Sequence, residues 1–398
     1  MNDFFCRVYQ KTLKFASLFL KFPQPLLLSG ENSYKKLGGI LVKNGKKSAL
    51  VVTGNRLFES GKAGLVISAL NGSQIKTVCF HGAVSNPTTE NVSEAVKTYF
   101  DNNCDCIVAF GGGSPIDCAK AAGAVIASGK FIGKLAGLMK VGKKIPFFAA
   151  IPTTAGTGSE VSVAAVITDE KNHRKFAIND TKLIPSVAVL DPIFLKGMPA
   201  KIIAETGMDA LTHAVEAFIG NSNTKKTEEN AVNAVKLIDK YLITAYNDNN
   251  NTEALYNMQI ASYKAGLAFT RAYVGYVHAI AHSLGGKYNI GHGYANAVIL
   301  PYVLEVYGKK AYNKLALLAE DVGSDEDRMN VKQKAESFIS YVKDLNKKLG
   351  IPENFGGLIK NEDIEGLVSA AMKEAVPLYP VPKIFKKEEF IQIYNNVN

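Results

Sequence analysis

Histidine is scarce in this chain, and several classes of feature are missing from it altogether. No apolar run reaches the length of about 20 residues that a bilayer-spanning helix needs. The apolar stretch at 15–20 is short and is flanked by Lys11, Lys14 and Lys21. It also lacks the small-residue cleavage site of a signal peptide. The simpler expectation for residues 3–22 is an amphipathic helix packed on the body or on a second subunit, with Phe4, Phe5, Val8, Leu18 and Phe22 to bury. A membrane is not expected as a partner. Cysteine is sparse and odd in number, five in all, and its spacing follows no disulfide framework. Cys104-Asp105-Cys106 has no second pair to complete a four-ligand metal site. Reduced thiols in a cytoplasmic protein are the expectation.

Long basic runs are also absent. The net charge is +10, but the lysines stand in pairs such as Lys35-Lys36, Lys46-Lys47 and Lys143-Lys144, with no aromatic-interleaved RNA motif. That pattern argues against nucleic acid. The positive field suits a polyanionic small ligand instead.

What is present fits a globular protein with a large core. The chain has 398 residues, 47% of them hydrophobic and 21% charged, and that length favours two domains. The first half alternates short apolar segments at 49–53, 75–80, 106–110, 147–151 and 187–190 with helical stretches such as 92–100 and 115–128. Alternation of this kind predicts a parallel α/β sheet with helices on both faces. Segments 161–168 and 175–178 flank a polar turn and read as an inserted hairpin. From about residue 199 the strand signals stop. Apolar residues recur at three- and four-residue steps through 201–218, 227–246, 252–269, 277–285, 295–307, 311–322 and 332–349, which predicts helices. Thr227, followed by Glu228 and Glu229, suits a helix start. The expected division is an α/β domain over 1–198 and an all-helical domain over 199–398.

Two loops carry ligand-binding character. After the 106–110 strand comes Gly111-Gly112-Gly113-Ser114-Pro115-Ile116-Asp117, and then a helix. Glycines let a ligand approach the backbone. Ser114 suits the N-cap, Pro115 suits the first turn, and the free N–H groups there suit a pyrophosphate. The segment is not the GxGxxG fingerprint. After the 147–151 strand comes Pro152-Thr153-Thr154-Ala155-Gly156-Thr157-Gly158-Ser159-Glu160, rich in small donors. Two such loops at the ends of parallel strands are where open α/β sheets bind ligands.

Of the six histidines, four lie between His213 and His292. Asp209 and His213 are four apart, as are His278 and His282, and each pair shares one face of a helix. His292 sits in Gly291-His292-Gly293, read as a loop able to close a site. A carboxylate with imidazoles suits a borderline divalent metal such as Zn²⁺ or Fe²⁺.

Together these segments resemble the iron-containing (group III) alcohol dehydrogenase family from about residue 25 to the end. The segments that carry the likeness are GGGSPID at Gly111, PTTAGTGSE at Pro152, GMDALTHAVEAF at Gly207 and HAIAHSLGGKYNIGHGYANAVILP at His278. The resemblance implies a dehydroquinate synthase-like architecture: an N-terminal dinucleotide domain and a C-terminal helical domain, with the site in the cleft between them. It implies metal ligands at Asp209, His213, His278 and His292, holding Fe²⁺ or in some members Zn²⁺. It implies cofactor contacts at Asn86, Gly112, Gly113, Ser114, Asp117, Thr153, Thr154, Thr157, Val166 and Lys175. His282 matches a family histidine near the metal that does not bind it. Carrying the released proton and making a structural hydrogen bond are both open to it. The implied reaction passes a hydride between a small alcohol or aldehyde and NAD(H) or NADP(H), in a homodimer or larger homo-oligomer. The metal would act as a Lewis acid on the substrate oxygen.

Two departures stand out. NAD-specific members carry an acidic residue at the end of the second main strand, where this chain has Gly54, with Arg56 close by. An acidic group there repels a 2′-phosphate and an arginine attracts one. Before His278, the family's usual Asn and Gly are replaced by Arg271 and Tyr273, and its frequent Leu by Tyr276. Arg271 could hold a substrate carboxylate or could be a surface residue bonded to a neighbouring loop. A lyase of the dehydroquinate synthase kind is the rival activity, but it needs basic residues around the metal for a phosphorylated substrate. The segments around Asp209 and His278 offer few.

Overall fold

The computed structural model describes residues 3–170, 174–326 and 328–398. The chain forms two compact units, one of Lys21–Lys196 and one of Met1–Leu20 with Gly197–Asn398. The first twenty residues, numbered with the α/β domain in the sequence division, thus belong to the helical unit.

The Lys21–Lys196 unit contains strands β1 (Leu26–Ser29), β2 (Ser48–Val52), β3 (Lys76–Phe80), β4 (Cys106–Gly111), β5 (Gly137–Leu138), β6 (Phe147–Pro152), β7 (Ala164–Asp169), β8 (Arg174–Asn179) and β9 (Val187–Leu190). Six of them form a sheet in the order β1-β9-β6-β4-β2-β3, parallel throughout. Every residue of β2 and β4 is buried, as expected where both faces of a parallel sheet are covered. On one face Leu50, Val52, Ile107, Ala109, Phe148 and Ala150 pack with Ile116, Ala119 and Ala122 of the helix Gly113–Ser128. From β2 the chain runs outward to β3 and then returns to the other side of β2 as β4. The order therefore reverses between β2 and β4, and an open sheet binds its ligand at such a switch point. Gly54 and the glycine loop follow these two strands. Strands β7 and β8 form the expected antiparallel hairpin, with β5 alongside β8. Residues 171–173 of its turn lie outside the described residues. Strand β1 escaped the sequence reading because it is a short edge strand, half exposed and close behind Pro23 and Pro25.

The second unit is helical. Helices run over Ala200–Ile219, Lys225–Asn247, Thr252–Ala272, Tyr276–Tyr288, His292–Tyr307, Tyr312–Asp321, Val331–Lys348, Asn361–Ala375 and Lys387–Val397. Two expected boundaries are corrected. Thr224, not Thr227, caps its helix, in a reciprocal capping box where each threonine side chain serves the other's backbone N–H. His292 is not in a loop: it is the first residue of a helix that Gly291 precedes.

The N-terminal helix is Asp3–Ser17, shorter than expected, and its apolar face does not pack on the body of this chain. Cys6, Gln10 and Ser17 are its buried residues, whereas Phe4 and Phe5 are 67% and 64% exposed. Arg7 and Gln10 face inward because they meet the carbonyls of Pro377, Tyr379, Val381 and Pro382.

Gly293 controls how closely two helices approach. A Cβ there would lie 2.3 Å from the Glu205 carbonyl oxygen and 3.4 Å from Asp209 Cβ. Only glycine lets the start of the His292–Tyr307 helix come this close to the Ala200–Ile219 helix. Gly293→Ala should therefore lower unfolding stability by about 1–3 kcal/mol, the usual scale of overpacking, and should move His292 away from Asp209. Chemical denaturation of the variant checks the first effect, and a metal-binding titration checks the second.

Candidate active site

The Ala200–Ile219 helix carries Asp209 and His213 on one face, and the Tyr276–Tyr288 helix carries His278 and His282 on one face. His292 arrives from the first turn of a third helix. Asp209, His213 and His278 are buried. Asp209, His278 and His292 each offer one ligand atom, and these atoms lie within 4.8 Å of one another. The Asp209 Oδ1 atom is 3.4 Å from His292 Nε2 and 4.0 Å from both His278 Nε2 and His213 Nδ1. The His213 ring lies beside the cluster, 4.4 Å from the His278 ring between centroids. Ligand atoms about 2.0–2.2 Å from a tetrahedral ion sit roughly 3.3–3.6 Å apart. The observed separations are at or just above that range.

The Asn296 amide provides a direct test of fit. Its nitrogen donates to Asp209 Oδ1 at 2.7 Å and lies 3.3 Å from His278 Nε2 and 3.2 Å from His292 Nε2. Three acceptor atoms thus converge on one electropositive group, and a divalent cation satisfies the same set more strongly. The residues fit a metal of the Fe²⁺ or Zn²⁺ kind.

Glu216 fixes the orientation of His278. Its Oε2 accepts from His278 Nδ1 at 2.6 Å and from the Gly275 N–H at 2.7 Å, and its Oε1 accepts from the Val277 N–H at 2.8 Å. With its proton on Nδ1, His278 turns the Nε2 lone pair toward Asp209. Burial pushes the Glu216 carboxyl up to about 8, against the pull of its N–H donors. The Gly275 and Val277 N–H groups oppose that rise and favour the carboxylate, the form that takes the His278 Nδ1 proton as a hydrogen bond. Burial first, then the neighbouring His213, His292 and His282, hold the His278 imidazole well below its ordinary range, and it is therefore neutral. A neutral imidazole is the form that binds metal.

His282 is not part of this close set. Its ring stacks on His292 at 5.0 Å, and its Nδ1 lies 2.7 Å from Glu374 Oε1. The Tyr379 hydroxyl donates to the same Glu374 oxygen at 2.7 Å.

In the α/β unit the two polar loops touch. The Thr153 N–H donates to the Gly111 carbonyl at 3.0 Å. A Cβ on Gly112 would lie 3.3 Å from Thr154 Oγ1, and one on Gly113 would lie 2.9 Å from Thr157 Cγ2. The helix cap is Gly112, not Ser114 as expected. A glycine loop turning into N–H groups at the switch point is an anion site in form. Ser114 and Asn86 meet at 3.4 Å, and Lys175 donates to the Asn86 side chain at 2.9 Å. Asp117 and Val166 brace the site from one side. The Asp117 carboxylate accepts from the Val166 N–H at 3.0 Å and from Ser159 at 3.2 Å, and burial raises it to about 6. Gly54 follows β2 and bridges to Gly82.

Sequence reasoning missed Glu216, Asn296, Glu374 and Tyr379. Asn296 is four residues after His292 on the same helix. Reading His292 as loop hid that relation. Glu216 is three residues after His213, a signal that periodicity carried but that read as ordinary helix. Glu374 reaches His282 across 92 residues, and no local pattern reports that.

Residues 25–192 match the family described as iron-containing alcohol dehydrogenase, and residues 203–397 match the Fe-containing alcohol dehydrogenase family, C-terminal. The chain is 35% identical over 376 residues to the NAD-dependent methanol dehydrogenase of Bacillus methanolicus, covering 94% of this chain and 98% of that protein. It is 36% identical over 368 residues to the 1,3-propanediol dehydrogenase of Citrobacter freundii, covering 92% and 95%. A crystal structure of 1,3-propanediol oxidoreductase matches with a TM-score of 0.92 at 34% identity, covering 95% of this chain and 100% of that one.

Glu216→Gln keeps the shape of the side chain but loses the anion facing His278. The variant should fold and should bind divalent metal about 10–100-fold more weakly, the usual cost of losing such a carboxylate partner. Competition against a chelator, read as metal retained per chain, checks this without reference to turnover.

Proposed function

The chain belongs to the iron-containing alcohol dehydrogenase family and is an alcohol dehydrogenase and aldehyde reductase using a nicotinamide dinucleotide; within that activity we propose its metal set, its proton carrier and its cofactor preference. Asp209, His213, His278 and His292 hold Fe²⁺, or Zn²⁺ in its place, and the substrates are small alcohols and aldehydes. The observation that carries this reading is the convergence of buried Asp209 and His278 with half-buried His292 on one point. A cation held there supplies Lewis acidity toward an alcohol or carbonyl oxygen. The residues around it do the rest. Glu216 keeps the His278 lone pair aimed, and burial keeps His278 neutral. His282 carries the proton that leaves with alcohol oxidation or enters with aldehyde reduction. Its Nδ1 lies on Glu374, which holds the ring in place. A lyase reading has no comparable support, because the named relatives are dehydrogenases.

The dinucleotide lies along Gly112, Gly113, Ser114, Thr153, Thr154 and Thr157, with Asn86, Asp117, Val166 and Lys175 around it. Gly54 marks the ribose end. With no acidic side chain there, a 2′-phosphate is not repelled. Arg56 stands exposed on the next short helix, Asn55–Glu59, in reach of solvent anions. We therefore assign NADP(H) as the preferred cofactor and NAD(H) as the weaker one.

Free buried or half-buried cysteines support a reducing, cytoplasmic setting. No helix among the described residues is long and apolar enough to cross a membrane. A homo-oligomer would cover the outward Phe4, Phe5 and Phe15. Light scattering at micromolar concentration should report a multiple of the chain mass, and a clean monomer would remove this part of the reading.

Cofactor choice is the sharper test. On an aldehyde panel with metal-loaded enzyme, kcat/KM with NADPH should equal or exceed that with NADH. Arg56→Ala should reduce the NADPH value by about 10- to 150-fold, the worth of one charge-assisted hydrogen bond, and leave NADH nearly unchanged. Gly54→Asp should shift preference toward NADH. Its Cβ meets the Ala83 carbonyl at 3.0 Å, so Arg56 is the cleaner probe. An NADH value about tenfold above NADPH in the wild type would overturn the assignment.

A further inference from the structure

The N-terminal helix lies outside the family-matching region, which begins at residue 25. Nothing in the assigned reaction uses it. Its inward contacts nevertheless lead to the candidate proton carrier.

The segment Pro377-Leu378-Tyr379-Pro380-Val381-Pro382 is rich in proline. Proline has no N–H, and this segment forms neither helix nor strand. Its carbonyls therefore take donors outside any helix or strand ladder: the Val381 N–H serves the Tyr379 carbonyl at 2.9 Å, and Asn221 serves the Pro380 and Val381 carbonyls at 2.6 and 2.9 Å. The N-terminal helix adds four more. Arg7 donates to the Val381 carbonyl at 2.6 Å and the Pro382 carbonyl at 2.8 Å. Gln10 donates to the Pro377 carbonyl at 3.1 Å and the Tyr379 carbonyl at 2.7 Å. Arg7 also donates to the Gln10 amide oxygen at 2.9 Å, which sets the amide's direction. Gln10 is 6% exposed, so its bonds are made out of water.

Tyr379 sits at the centre of this clamp. Its backbone carbonyl is held by Gln10, and its hydroxyl donates to Glu374 Oε1, the atom that also receives His282 Nδ1. Just beyond the clamp Phe385 packs on Tyr276 at 4.7 Å, two residues before His278.

We propose that Arg7 and Gln10 are positioning residues for the active site: the N-terminal helix clamps the 377–382 segment, the clamp seats Tyr379 on Glu374, and Glu374 holds the His282 ring in one tautomer and one orientation. This rests on the assignment of His282 as proton carrier. The helix is then a working part of the active-site wall rather than an appendage.

The test uses the full-length, metal-loaded enzyme in four forms: Arg7→Ala/Gln10→Ala, Tyr379→Phe, the triple combination, and His282→Gln. Each is checked for melting temperature, metal per chain and NAD(P)H binding. The double variant and Tyr379→Phe should each lower kcat by about tenfold or more, with KM for the aldehyde changed less than about threefold, because proton transfer depends on placement and not on substrate contact. Metal content and nucleotide binding should hold. The triple variant should be no slower than the worse of its parents, since both changes break one path. Additive losses, or a lower melting temperature with kcat intact, would overturn the proposal. If the double variant does not fold, Gln10→Ala alone, which keeps both Arg7 bonds to the segment, takes its place with the same expectations. His282→Gln separates the two readings. Unchanged kcat there ends the proton-carrier assignment and the proposal with it. A slow His282→Gln beside an undisturbed double variant ends the proposal alone.

Discussion

Acceptor atoms gain nothing from one another's company, and burial takes away the water that would serve each of them separately. Asp209 Oδ1 and His278 Nε2 are gathered in this way, with the half-buried His292 Nε2 beside them, from three different helices. Such an arrangement is stable only with positive charge at its centre. Much of the helical unit reads as the means of making it. Gly293 removes the one Cβ that would separate two of the helices. Glu216 receives the donors at the start of a third, and so aims His278 inward. Asn296 places a partial positive charge among the acceptors. Each device serves a geometry that would otherwise be unfavourable, which is the mark of a ligand site and not of a packing accident.

The α/β unit solves a different problem, how to hold a long polyanion with little charge. It does so mainly with backbone. Gly112 and Gly113 clear the space in front of a helix start, and Thr154 and Thr157 from the neighbouring loop close against them. The chain reverses its strand order between β2 and β4, and Gly54 follows the first of these strands while the glycine loop follows the second. In the proposed reading, cofactor choice falls to a few side chains beside Gly54, and the fold itself is indifferent to it.

Much of this was legible in the sequence because it is local. A glycine loop between a strand and a helix, a threonine-rich loop after the next strand, and two i,i+4 pairs each announce themselves within a few residues. The parallel sheet followed from alternation, and the helical second half from three- and four-residue steps. What escaped was either marginal or non-local. Strand β1 is a short exposed edge. The helix start at His292 was misread because Gly291 and Gly293 look like loop punctuation, whereas Gly293 is there for close approach. That one misreading also hid Asn296. Which face of the N-terminal helix meets the body escaped for a deeper reason. Its apolar positions predicted burial, but the proline-rich segment it covers needed donors, so Arg7 and Gln10 took the inside. Hydrogen-bond demand of a partner hundreds of residues away leaves no periodic trace.

The central claim is that one divalent cation, held by Asp209, His213, His278 and His292, is required for hydride transfer. Anaerobic titration of metal-free enzyme with Fe²⁺, following NADPH oxidation by an aldehyde, tests it most directly. Activity should rise from baseline and saturate at one equivalent per chain. His278→Ala should stay at baseline across the same range while still binding NADPH. Turnover by demonstrably metal-free protein, or a His278→Ala variant that titrates like the wild type, would contradict the account.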